Sequence, residues 1–246
     1  MDYKFWALFF SVLLVASCGS GDSSTPPPPS EKQSVNLSFD FSESSQEFEI
    51  SVADYAVEHD RNDEIVSTLS QLPEPYEYRK GVEFSWYNYS SDMKGYIKRN
   101  ISDLKPDTTY NVDFQVNVLT VESEQCIGGG GSPGSSVNVK ASLLPQEPTR
   151  FVSYEIAPEG IYRVDIDDGQ SGGDDVALLG HIGLPISCET SKESPVWEVK
   201  PLVNDESFVM TTGEPGEAWV YVSIDSGFEG ETTVYITDVE MEILEQ

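Results

Sequence analysis

Between Ile101 and Leu119 the chain reads ISDLKPDTTYNVDFQVNVL, and this stretch limits the fold more than any other. Tyr110, Val112, Phe114, Val116 and Val118 share one parity, while Asn111, Asp113, Gln115 and Asn117 share the other. That is the alternation of a β-strand with one buried face. The segment Leu104-Lys-Pro-Asp-Thr-Thr-Tyr110 leads into it. Pro106 fixes φ and the Asp107 side chain can bond its own backbone, so the strand starts from a defined turn. The spacing predicts a central strand, with the rest of the chain pairing outward from it.

The same period recurs on both sides. Val35, Leu37, Phe39 and Phe41 alternate with polar residues, and Phe48, Ile50 and Val52 repeat the pattern after a Ser/Glu turn. Further strand-length apolar runs lie at residues 65–72, 82–87, 96–101, 137–143, 150–156, 161–166, 196–202, 208–212 and 219–224. In the closing segment Thr232–Leu244, Val234 and Ile236 share one parity but Val239, Met241 and Ile243 share the other. One inserted residue at Thr237-Asp238, a β-bulge, keeps the apolar face inward on both sides. About a dozen short strands with frequent turns and no helix signal predict an all-β, two-sheet sandwich over residues 34–246. The glycine-rich tract at residues 126–136 is expected to be a long loop within that one domain.

There are 43 acidic against 14 basic residues, a formal charge of −29. Such a surface repels nucleic acid and anionic lipid headgroups, so neither is an expected partner. Near the N-terminus Phe5–Ala16 is apolar, too short to span a bilayer but the right length for the core of an export signal. Val15-Ala-Ser-Cys18, which follows directly, resembles the lipobox of bacterial lipoproteins. The resemblance implies a signal peptide at 1–17 and a lipidated Cys18. Gly19 after the cysteine resembles sorting to the outer membrane of Gram-negative bacteria, so membrane contact is expected through the lipid alone. Residues 18–33 carry the run Pro26–Pro29 and no apolar side chain to bury, which predicts an extended linker. With Cys18 lipidated, Cys126 and Cys188 are an even pair in an oxidising compartment and are expected to be bridged.

Four marks carry a resemblance to a known fold. They are Phe39-Asp-Phe41 with Phe48, the Leu104–Phe114 entry and strand, Trp197, and the closing Thr233-Val-Tyr-Ile-Thr-Asp238-Val-Glu-Met. Together they resemble jelly-roll carbohydrate-binding modules, the galactose-binding-like fold, in which first and last strands pair. Residues 35–244 also resemble a group of bacterial secreted proteins and lipoproteins with segments like Ile127–Gly134, Gln170–Asp175 and Asp225–Gly230. A fibronectin type III reading shares Leu-x-Pro-x-Thr-x-Tyr but does not account for a single closing motif. The jelly-roll resemblance implies a structural calcium between opening and closing strands, with Asp40 or Glu43 and Asp238 as hard oxygen ligands.

Two other places are candidates for ligand binding. Trp86-Tyr-Asn-Tyr89 with Asp92 combines rings that can stack on a sugar face with groups that can hold hydroxyls. Trp86 and Tyr87 point to opposite faces of a strand, so one of them belongs to the core. The loop pair drawn together by a Cys126–Cys188 bridge would bring Gln170, Asp174, Asp175 and His181 to one end of the sandwich. Asp165-Ile-Asp-Asp-Gly169 fails the spacing of a helix-loop-helix calcium site and reads as an acidic turn. Gly128–Gly131 lacks the lysine and the strand-to-helix setting of a phosphate loop. No Ser-His-Asp or clustered-His pattern appears, so no catalytic residues are expected. The function that follows is non-catalytic binding, of glycans or alternatively of cell-surface proteins.

Overall fold

The computed structural model describes residues 31–59, 65–90 and 92–246. The expected signal segment, Cys18 and residues 19–30 of the linker lie outside them. In chain order the strands are β1 (Ser34–Asp40), β2 (Glu49–Ala53), β3 (Tyr55–Ala56), β4 (Ile65–Gln71), β5 (Lys80–Tyr87), β6 (Met93–Ile101), β7 (Thr109–Thr120) and β8 (Val137–Leu144). They continue with β9 (Arg150–Ser153), β10 (Ile161–Val164), β11 (Ala177–His181), β12 (Glu198–Val203), β13 (Phe208–Thr211), β14 (Ala218–Ser226) and β15 (Glu231–Glu245). A short helix, α1 (Cys188–Glu193), lies between β11 and β12.

Two antiparallel sheets make a jelly-roll sandwich. One runs β12-β7-β15-β5-β4, with β1 also on β15 and β13 also on β7; the other runs β11-β8-β14-β6-β2. First and last strands pair from Ser34↔Leu244 to Asp40↔Asp238. β7 is central, and its entry turn is tied by a hydroxyl rather than by Asp107. The Lys105 N–H donates to the Tyr110 Oη at 2.8 Å, and that hydroxyl donates to Gln33 Oε1 at 2.6 Å. The bulge in β15 falls where the parity change placed it. Its register against β7 shifts between Ile236 and Asp238, and Thr237 Oγ1 donates to the Asn117 carbonyl at 3.1 Å. Both halves of β15 therefore keep Val234, Ile236, Val239, Met241 and Ile243 in the core.

The core lies between the sheets, where Val112, Phe114, Val116 and Val118 cluster with Ile97, Val139, Val222 and Ile224. Each such side chain, taken fully from water, contributes roughly 1.5–3 kcal/mol. Gly95 is required by this packing, because a Cβ there would sit 2.4 Å from the Phe84 ring. Cys126 and Cys188 form a disulfide, and the 62-residue separation corresponds to about 4 kcal/mol of unfolded-state restriction in the chain-entropy account. The glycine-rich tract is a loop packed on the sandwich, as Gly183 N donating to Gly134 O at 3.1 Å shows.

Three features depart from the two-sheet, helix-free expectation. α1 exists because Ser187 caps it, its Oγ accepting from Thr190 N at 3.1 Å, with Glu189 in the first turn and Lys192 in the last. β11 pairs with β8 although its sequence, ALLGH, gives no alternation. A third small sheet, β3-β10-β9, lies beside the sandwich. With loop 165–176 it forms a cap over the outer face of the five-stranded sheet.

Under the cap that outer face is charged. Lys94 of β6, Lys140 of β8 and Asp225 of β14 alternate with core residues, and their side chains are nearly inaccessible to water. Lys94 Nζ lies 2.9 Å from Asp54, 3.3 Å from Asp168 and 3.5 Å from Asp225. Lys140 contacts Asp168 and lies 2.7 Å from Asp225. Burial works against the Lys94 ammonium, but Asp168, Asp54 and Asp225 outweigh it and hold its pKa above the ordinary value. Burial also pushes the Asp168 carboxyl up, and there Lys94 and Lys140 outweigh it and hold it down. For Asp225 burial prevails over the same two lysines, and the carboxyl is raised.

Candidate functional site

A cleft opens where the cap meets the end of β5. β5 alternates, so Trp86 points into the core at 2% exposed while Tyr87 points out at 52%. Trp86 is therefore removed from the expected ligand set. Asn88 is removed too, since it is fully buried. Its Nδ2 donates to the carbonyls of Ser226 at 2.6 Å and Phe228 at 3.0 Å, and its backbone N–H donates to Gly230 O at 2.9 Å. This pins the loop after β5 to the turn between β14 and β15. Tyr89 then stands out at 62% exposed, its ring centroid 4.6 Å from that of Tyr87 and 5.7 Å from that of His59.

Beside these rings the cleft has a volume of about 320 Å³ and is lined by Asp54, Tyr55, His59, Tyr89, Asp92, Ile156, Glu159 and Arg163, among others. Arg163 Nη1 bridges Asp54 at 2.8 Å and Asp92 at 3.0 Å. Asp54 is a non-glycine residue at φ 61°, a backbone state that points its carboxylate between Lys94 and Arg163. Burial raises the Asp92 carboxyl and the Asp54 carboxylate adds to the rise, while Arg163 opposes both. The Tyr55 and Tyr162 rings beneath lie 5.1 Å apart, and the Arg150 guanidinium sits 3.6 Å from the Tyr162 centroid. The result is a firm wall with two exposed rings on one side and a carboxylate, a guanidinium and a second acid on the other.

Of the sequence-predicted ligand residues, Tyr87, Tyr89 and Asp92 come together here. Gln170, Asp174, Asp175 and His181 do not line the cleft. Asp174 and Asp175 close their own loop, Asp175 Oδ2 accepting from Asp167 N at 2.7 Å and Asp167 Oδ2 accepting from Asp174 N at 3.1 Å. The Gln170 carbonyl accepts from Asn138 Nδ2 at 2.8 Å. His181 has Lys200 Nζ 3.5 Å from its Nδ1, and burial together with that cation lowers its pKa. The glycine-rich segments Ile127–Gly134 and Asp225–Gly230 meet at one end of the sandwich. Glu229 N donates to Gly129 O, and Gly227 N to Ser136 O, both at 2.8 Å.

Of the expected calcium ligands, Asp40 and Asp238 are brought opposite each other as cross-strand partners. Asp40 Oδ1 accepts from Arg79 at 2.9 Å, while Asp238 accepts from Asn117 and, at 2.8 Å, from Thr237. Glu43 is exposed. Among the described residues no group of three or more His, Cys, Asp or Glu side chains could hold a metal ion. Sequence reasoning missed Asp54, His59, Glu159 and Arg163. Arg163 falls inside the strand-length run at 161–166, where nothing local marks it as part of a cleft.

A larger open groove of about 540 Å³ runs over the outer face of β1, β15 and β7. Its polar wall is acidic, with Asp113, Glu240 and Glu242, and its one aromatic, Phe114, is a buried core residue. It offers no exposed ring, so the tyrosine cleft is the better candidate.

No protein-family model and no curated protein matches the chain. Solved structures similar to it include carbohydrate-binding modules of the β-sandwich superfamily, at 11% identity and TM-score 0.33 over 77% of this chain and 54% of that one. The chain thus spans about half the length of that relative. Also similar are a putative sugar binding protein from Bacteroides thetaiotaomicron (12% identity, TM-score 0.38, 78% and 86% covered) and the winged bean acidic lectin complexed with methyl-α-D-galactose (8%, 0.36, 87% and 100%).

The cleft electrostatics can be read by titration. The folded state holds the Asp92 proton more tightly than the unfolded chain, so this group's contribution to stability falls as pH rises from the ordinary 3.8 through its folded value. Carboxyl NMR should show Asp92 titrating above 3.8, and Arg163→Met should move it higher still, because only Arg163's opposing charge is lost. A lower value in the variant would refute the bridge.

Proposed function

We propose that this chain is a non-catalytic glycan-binding domain carried on a lipid-anchored protein of the bacterial cell envelope. The observation that carries the reading is the exposed Tyr87–Tyr89 pair at the rim of a polar cleft. A sugar ring has an apolar face of C–H groups and an equatorial belt of hydroxyls. Tilted aromatic rings take the first, and fixed charged or polar groups beside them take the second. Here Asp92, Arg163, Glu159 and His59 stand where hydroxyls of a sugar on Tyr89 would reach. Arg163 is already held by two carboxylates, so binding costs little reordering of it. Both acids of the bridge are also engaged by Arg163, an arrangement suited to holding hydroxyls rather than to paired acid-base work on a glycosidic bond.

Anchoring rests on the lipobox resemblance at Val15–Cys18. The proline run behind it suits a stalk that holds the binding face away from the membrane. A second reading, contact with a protein partner, is favoured by exposed Val199 and Val203 on β12 and Val209 on β13, along one edge of the larger sheet.

A glycan array followed by isothermal titration tests the first reading. Tyr89→Ala should weaken binding of the hits about fivefold, the loss of an aromatic contact worth roughly 1 kcal/mol, with the melting temperature unchanged. No glycan bound, with cross-linking that captures only protein neighbours through the valine edge, would favour the second. Anchoring has its own readout. Metabolic labelling with an alkyne fatty acid should mark the protein but not its Cys18→Ser variant, and equal labelling of both would refute lipidation at Cys18.

A further inference from the structure

The charged cluster beneath the cap has one contact that an ordinary ion pair does not explain. Lys140, Asp168 and Asp225 have side chains 0%, 1% and 1% exposed. Lys140 Nζ is in direct contact with Asp168 Oδ1, yet that oxygen is buried without a hydrogen-bond partner. The amine therefore meets the carboxyl group off the direction in which a hydrogen bond forms. The other oxygen is well held. Asp168 Oδ2 accepts from Tyr221 Oη at 2.9 Å and Ser223 Oγ at 3.0 Å, and Lys94 Nζ lies 3.3 Å from it. Asp225 completes the group, with Oδ2 2.7 Å from Lys140 Nζ and Oδ1 buried and unpartnered.

We propose that Lys140 and Asp168 are joined by an intramolecular isopeptide bond, formed by attack of Nζ on the Asp168 carboxyl carbon with Asp225 as the proton carrier. The two reactants are held together in a water-excluded site, which makes the condensation effectively unimolecular. Asp225 first relays one ammonium proton to Asp168 Oδ1, leaving a neutral amine and a neutral acid. The N–C bond then forms, and negative charge develops on Oδ2, where Tyr221 and Ser223 donate and Lys94 supplies a positive charge. Asp225 next relays a second nitrogen proton to Oδ1, the C–Oδ1 bond breaks, and Oδ1 leaves as water. Two of the three ammonium protons depart with that oxygen and the third stays on the amide. Charge is conserved and nothing is oxidised or reduced. The raised carboxyl of Asp225 suits a group that must hold a proton in transit. The remaining amide hydrogen has acceptors in place at Gly169 O and Asp225 Oδ2, each 2.7 Å from Nζ.

The bond would tie β8 of the sandwich to the cap loop by a link that thiols cannot reduce, unlike Cys126–Cys188. Digestion of the folded, then reduced, full-chain protein followed by mass spectrometry tests it. The expected product is one branched peptide joining the Lys140 and Asp168 segments, lighter than their sum by one water. Lys140→Arg should abolish it, and Asp225→Asn, checked as folded by circular dichroism, should slow its formation at least about a hundredfold, the low end of general acid–base contributions. Recovery of the two wild-type segments as separate peptides of full mass would overturn the proposal. Undiminished linkage in Asp225→Asn would overturn the role given to Asp225.

Discussion

Two lysines placed on the outward positions of the five-stranded sheet set the terms for everything built over it. Lys94 and Lys140 are held away from water, and a buried ammonium without counter-charge costs several kcal/mol. Three aspartates answer them from three separate parts of the chain: Asp54 beyond β2, Asp168 in the cap loop and Asp225 on β14. Because each carboxylate must arrive within about 3 Å, the segments that carry Asp54 and Asp168 have little freedom in where they lie. The cap is thus positioned by what these lysines and Arg163 hold, Lys94 through its ion pairs with Asp54 and Asp168, more than by apolar burial. Its own apolar cluster, around Tyr96, Val176 and Tyr221, is small beside the main core.

The cleft inherits its geometry from that arrangement. Asp54 is shared between Lys94 below and Arg163 at the surface, so the same carboxylate that fixes the cap also orients the guanidinium facing the cleft. On the opposite wall Asn88 fastens the Tyr89 loop to the turn that follows β14, the strand that carries Asp225. The exposed rings and the polar wall are consequently referred to one rigid strand. Support of this kind leaves the cleft's groups ordered in advance, which is what the proposed binding would need.

The sandwich was legible, and so were two strands of the cap, but not the separate sheet they form or the face it covers. Period-2 alternation identified β7, β1 and β5, and the parity change in Thr232–Leu244 located the bulge at Thr237, because both are statements about which face a residue takes. Alternation does not say whether the second face is wet. Lys94, Lys140 and Asp225 sit at outward positions and read as solvated charge, although a separate segment covers them. Asn88 failed for a related reason, since its amide is claimed by carbonyls 138 and 140 residues away. Strand pairing brought Asp40 and Asp238 side by side, as the jelly-roll resemblance implied, but pairing alone does not tell that Arg79 and Asn117 donate to their oxygens. That Tyr87, Tyr89 and Asp92 lie together at the cleft was legible because exposed rings beside a short polar loop leave a local trace.

Lys94 is the residue on which the position of the cap depends most directly. Hydrogen exchange on a Lys94→Met variant measures this directly, through the amides of Asp54, which donates to Tyr162 O, and Val57, which donates to Gly160 O. Removing one partner of a buried ion cluster costs about 3–5 kcal/mol. Those two amides should therefore exchange at least about a hundredfold faster, while Val116 and Val239 in the sandwich core keep their protection. Wild-type protection at Asp54 and Val57 would contradict the claim that charge pairing positions the cap.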